Sequence, residues 1–115
     1  MLSVKEKGLL LSILKHCERI KEKTDVFTFA QFRHDEDLIQ IICFNLLQIG
    51  ELAKKFEPSF VKRFSVVPWK QIKGMRDKVA HGYDTIDIDK VWETAVYDIK
   101  DLIAYCVMIL RDVDS

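Results

Sequence analysis

Glycine and proline are scarce, with four and two residues in a chain of 115. That is too few for the many tight turns of a β-sandwich or barrel, and it points to helices. No uninterrupted apolar run approaches the ~18 residues that a membrane span needs. The opening residues Met1-Leu2-Ser3-Val4-Lys5-Glu6-Lys7 carry an acid early and lack a small-residue cleavage site, so a secretory leader is not expected. Cysteine is limited to Cys17, Cys43 and Cys106, odd in number, widely spaced and each embedded in an apolar helical pattern. This argues against a disulfide frame or a zinc site and predicts reduced, buried thiols in a cytoplasmic protein. Excess charge of one sign is missing as well, since 18 basic side chains face 18 acidic ones.

What is present is ordinary globular composition, 49% hydrophobic and 31% charged, enough for one core and one domain over 1–115. The charge is segregated. Residues 1–24 hold six bases against three acids, 25–53 one against five, 54–78 eight against two, and 84–115 three against eight. A basic centre between acidic flanks can attract a polyanion locally, and it can equally be a solvated face.

Apolar periodicity predicts a first helix over about 4–23, with Leu10, Ile13, Leu14, Cys17 and Ile20 inward. Residues 24–34 look like an aromatic connector whose Phe27, Phe29 and Phe32 cover a bundle end. A second helix over about 36–56 is apolar nearly all round, so it must be central or covered by another subunit. Residues 58–67 are expected to be a linker, and Pro68 to start a third helix with a Trp69, Ile72, Met75, Val79 stripe that stops near Gly82. Asp87 or Thr85 then caps a long final helix. The expectation is an all-α bundle of about four main helices.

Reactive side chains concentrate in Lys73-Gly74-Met75-Arg76-Asp77-Lys78-Val79-Ala80-His81-Gly82-Tyr83. An imidazole can exchange a proton near neutral pH, and a guanidinium can bind phosphate and neutralise charge in a transition state. An RNA 2′-hydroxyl as internal nucleophile would make a metal unnecessary. On an ideal helix Arg76 and His81 lie about 140° apart while Arg76 and Tyr83 nearly eclipse, so either the helix unwinds near Gly82 or pairs from two subunits meet across a two-fold axis. Plainer roles stand beside these: His81 as a helix-end cap, Arg76 with Asp77 as a surface ion pair, Tyr83 closing the bundle. His16 and His34 belong to no constellation and are expected to be structural.

Arg76-x-x-x-x-His81-x-Tyr83 resembles the R-x4-H-x-Y motif of the HepT-like toxins, a branch of the HEPN superfamily. Asn45-Leu46-Leu47-Gln48-Ile49-Gly50-Glu51-Leu52-Ala53 is similar to that family's I-G-E-A helix, with Leu52 in place of the usual small residue. Val67-Pro68-Trp69-Lys70-Gln71-Ile72-Lys73-Gly74-Met75-Arg76-Asp77 resembles its P-W-x-x-I-x-G-M-R stretch, and Val91-Trp92 falls where the family carries a similar pair. The likeness extends over about 38–103. It implies a HEPN-type helical bundle, dimeric about a two-fold axis, that acts as a metal-independent RNA endonuclease and as the toxin of a bacterial or archaeal toxin–antitoxin pair. By position, Arg76 and His81 would be the catalytic pair in an interface groove, and Asp77 the polar residue after the Arg. Tyr83 would be the tyrosine adenylylated by a cognate MntA-like minimal nucleotidyltransferase, which silences the toxin by placing phosphate and base beside the groove. Lys70, Lys73 and Lys78 would contact the RNA backbone. The alternative is a non-catalytic helical partner that binds a nucleotidyltransferase and serves as its substrate through Tyr83.

Overall fold

A computed structural model of the chain describes residues 1–76 and 86–114, with side chains through 111. Helix α1 (Val4–Val26) begins where Ser3 and Glu6 form a reciprocal cap: the Ser3 hydroxyl accepts from the Glu6 N–H at 3.0 Å and the Glu6 carboxylate from the Ser3 N–H at 2.8 Å. Thr28 and Gln31 repeat that device at the start of the one-turn helix α2 (Phe29–Phe32). The aromatic connector therefore contains a helical turn. It covers the bundle end as expected, with Phe32 fully buried and its ring 4.9 Å from that of Trp92.

Asp35 caps α3 (Glu36–Ala53) by accepting from the Leu38 N–H at 3.1 Å. The helix ends three residues short of the expected 56 because Phe56 turns into an aromatic cluster. Its ring stacks on Phe60 at 4.2 Å and lies 5.2 Å from Trp69. The expected linker 58–67 contains α4 (Pro58–Arg63), opened by a proline whose missing N–H is harmless there and anchored by buried Phe60. Six residues are too few for a 3.6-residue period to show in the sequence. Trp69 then starts α5 (Trp69–Lys73), and its indole N–H donates to the Phe64 carbonyl at 3.0 Å, tying α5 to α4.

The third-helix stripe is buried at Trp69, Ile72 and Met75, but the α-helix does not persist: a 3₁₀ turn takes over at Gly74–Arg76. Val79 and Gly82, the rest of that expectation, lie outside the described residues. Asp87 caps α6 (Ile88–Glu93), accepting from the Lys90 N–H at 3.2 Å. A turn of π-helix at Thr94–Asp98, in which the Ile99 N–H reaches back to the Thr94 carbonyl, joins α6 to α7 (Ile99–Asp114).

Every regular element among the described residues is helical. Helix α1 packs against both α3 and α7. Leu10, Ile13 and Ile20 from α1, Ile42, Leu46 and Ile49 from α3, and Ile99, Leu102 and Ile109 from α7 form the fully buried centre. Among the described residues no helix is long and apolar enough to cross a membrane.

Candidate active site

The C-terminal half of α3 and the 3₁₀ turn meet at Gly50. A Cβ there would stand 2.9 Å from the Arg76 backbone nitrogen, 3.2 Å from the Arg76 Cβ and 3.2 Å from the Lys73 carbonyl. Only a residue without a side chain lets the turn lie so close to α3. The aromatic cluster of Phe56, Phe60 and Trp69 holds α5 from the other end, so the Cα of Arg76 is set by packing on two sides.

The Arg76 guanidinium is met by Glu51, the residue after that glycine. Its Oε1 lies 2.7 Å from Arg76 Nε, both side chains being 45% exposed, and Lys54 Nζ stands 3.9 Å from the same oxygen. The carboxylate beside Arg76 among the described residues thus comes from another helix, α3. A guanidinium met by a carboxylate at Nε has four further N–H donors on Nη1 and Nη2, and such a pair of nitrogens can take two phosphate oxygens at once. Lys70 is exposed and Lys73 half-buried on the same short helix. Asp77, Lys78, His81 and Tyr83 lie outside the described residues.

Glu51 was not among the expected site residues, although it stood inside the I-G-E likeness. One signal marks it: it is the sole acid between positions 38 and 56.

His16, expected to be structural, ties α1 to α3. Its Nδ1 lies 2.8 Å from Asn45 Oδ1, while Asn45 Nδ2 donates to the Ile41 carbonyl at 2.7 Å. The backbone carbonyl fixes which end of the buried amide donates, so Oδ1 accepts and His16 carries its proton on Nδ1. The three cysteines are free and buried. Burial raises the Cys43 thiol to about 11 and Cys106 to about 12, and pushes Cys17 up further, so none offers a thiolate near neutral pH.

On the side of α3 that carries Glu51, the sequence Asp37, Ile41, Phe44, Gln48, Glu51 steps by three or four residues. Phe44 is 53% exposed and Ile41 40%. They line a shallow depression with Arg19, Asp37, Gln40 and Asn45.

An exposed guanidinium is thus braced by a carboxylate inside a basic segment of an all-α bundle. The HepT-like ribonuclease family model matches residues 13–109, most of the chain, and the chain belongs to that family. A protein provisionally named an RNase in Caldanaerobacter subterraneus subsp. tengcongensis is 37% identical over 90 residues, 78% of this chain and 80% of the relative. Another provisionally named RNase, from Methanocaldococcus jannaschii, is 30% identical over 109 residues, covering 95% and 90%. A provisionally named ribonuclease HepT of Thermococcus cleftensis is 31% identical over 96 residues, covering 84% and 87%. No solved structure gives a significant match.

Proposed function

We propose that the chain is a metal-independent RNA endonuclease that acts as a cytoplasmic homodimer and as the toxin of a toxin–antitoxin pair. The observation that carries this reading is the Glu51–Arg76 contact at 2.7 Å, which holds a cation at the surface of a chain belonging to a ribonuclease family. In the reaction His81 removes the proton from an RNA 2′-hydroxyl, and the 2′-oxygen forms a bond to phosphorus. The bond from phosphorus to the 5′-oxygen breaks, leaving a 2′,3′-cyclic phosphate and a 5′-hydroxyl that takes up a proton. Arg76 neutralises the charge on the five-coordinate phosphorus, a contribution that is strongest where it matters most, in the transition state. Asp77 is the polar neighbour of Arg76 in this scheme, and Lys70, Lys73 and Lys78 hold the backbone phosphates on either side.

The homodimer reading is supported by the exposed Ile41–Phe44 strip, an apolar surface continuous with the Glu51 side of α3. Arg19 and Asp37 border the same depression, so a two-fold pairing can set one copy's base against the other's acid. Tyr83 is the acceptor of an adenylyl group from a cognate MntA-like nucleotidyltransferase, which adds a phosphate that competes for the same cations as RNA.

The test combines intact mass and RNA cleavage, with and without EDTA, on protein made alone and beside a minimal nucleotidyltransferase. Cleavage by the wild type that resists EDTA, vanishes in Arg76→Ala and His81→Ala, and disappears when Tyr83 gains one AMP is the expected result. An AMP increment with no cleavage in any sample would leave a modified binding partner instead of a nuclease.

A further inference from the structure

We propose that Glu51 is the positioning residue for Arg76: it holds the guanidinium side-on through Nε and thereby aims the Nη1–Nη2 edge at the scissile phosphate. The inference rests on the ribonuclease reading above and deepens it.

Three observations converge on Glu51. The first is the contact itself, an ion pair with Oε1 2.7 Å from Nε. The second is that stability does not explain it. Both side chains are 45% exposed, and exposed pairs of this kind add little to folding. The third is the neighbouring glycine. Gly50 lets the Arg76 backbone press against α3, so packing sets the Cα while the side chain would still be free to swing through several rotamers. Glu51, one residue along, removes that freedom. Packing sets where the arginine starts and the carboxylate sets where it points.

A carboxylate near a phosphate site would ordinarily repel the substrate. Lys54 answers that objection. Its Nζ lies 3.9 Å from the same Oε1, so the Glu51, Arg76 and Lys54 trio keeps a net charge of +1. The arrangement aims a cation without cancelling it.

The experiment compares Glu51→Ala and Glu51→Gln with the wild type in steady-state cleavage of a single-stranded RNA, with Arg76→Ala as control. The amide of Glu51→Gln still accepts from the Nε–H, so it preserves the aim while losing the charge. Expected values of kcat are about threefold below wild type for Glu51→Gln and about a hundredfold below for Glu51→Ala, with KM within about threefold throughout. In an Arg76→Ala background, Glu51→Ala should cause no further loss. An activity-independent measurement accompanies it: the Arg76 Nε–H proton resonance, assigned by its loss in Arg76→Lys, should be downfield and slow to exchange in the wild type and should average toward free arginine in Glu51→Ala. Unchanged or faster cleavage by Glu51→Ala, or an unaltered Nε–H resonance, would overturn the proposal while leaving the ribonuclease intact. Failure of the wild type to cleave any RNA would instead remove the ribonuclease reading, and this inference with it.

Discussion

Replacing Gly50 with alanine sets two calculable effects against each other. Inside a helix the substitution is ordinarily favourable by about 1 kcal/mol, because glycine gives up more backbone entropy on folding. Here the added methyl would stand 2.9 Å from the backbone nitrogen of Arg76, against about 3.5 Å for an ordinary contact. The obstacle is main chain, which cannot rotate aside, so the 3₁₀ turn must retreat by roughly half an ångström. Overpacking of this kind costs about 1–3 kcal/mol. The net expectation is a destabilisation of up to about 2 kcal/mol, or a fall in Tm of up to about 10 °C for a domain of this size. The same retreat stretches the 2.7 Å contact between Glu51 and Arg76, so cleavage should drop about tenfold to a hundredfold. Gly8 supplies the control: it is exposed on α1 with nothing within 4 Å of a would-be Cβ, so Gly8→Ala should raise Tm by a few degrees and leave cleavage alone. The assay is a thermal melt followed by far-UV circular dichroism, with RNA cleavage on the same preparations. If Gly50→Ala stabilises the protein as much as Gly8→Ala and cleaves at the wild-type rate, the close approach is slack and the reasoning fails.

Phe44→Glu should place a charge on the exposed α3 strip and convert the proposed dimer to a monomer in light scattering at micromolar concentration, with the melt of the isolated fold little changed; a dimer that persists would move the interface elsewhere. The buried thiols give a pH prediction. Burial raises Cys43 from an ordinary 9.0 to about 11 and Cys106 from 9.0 to about 12, so the folded state keeps protons that the unfolded state releases. Their contribution to stability is therefore complete below pH 9 and is lost as pH rises from 9 toward 11 for Cys43 and toward 12 for Cys106. A thiol reagent at pH 8 should modify none of the three cysteines in the native protein within minutes and all three after denaturation; rapid labelling of native protein would contradict the burial.

Helix starts were readable because they depend on local chemistry. Asp35 and Asp87 each satisfy an orphan N–H group three residues along, and each caps a helix in the structure. Ser3 with Glu6 and Thr28 with Gln31 form reciprocal caps that were not expected from the apolar pattern, which marks a helix's buried face and not its first residue. Short elements were the least legible. The six residues of α4 complete fewer than two turns, and what holds them is contact of Phe60 with Phe56 and Trp69, both of which lie outside the helix. The π turn at Thr94–Asp98 is equally invisible locally, since nothing in Thr94-Ala95-Val96-Tyr97-Asp98 departs from a helical pattern.

For the site, the division follows the range of the forces. Amino-acid order alone determined that Arg76 sits in a basic segment after a Trp69–Met75 stripe, because an apolar stripe and a run of charges are properties of neighbours. It determined the helical class as well, through sparse turn residues and 3.6-residue periodicity. Tertiary structure decided that Arg76 is braced by Glu51 and that His16 donates to Asn45. Each of these pairs joins residues on different elements at hydrogen-bond distance. Such a distance exists only once the helices are packed, and at Gly50 the packing itself depends on the absence of one methyl group.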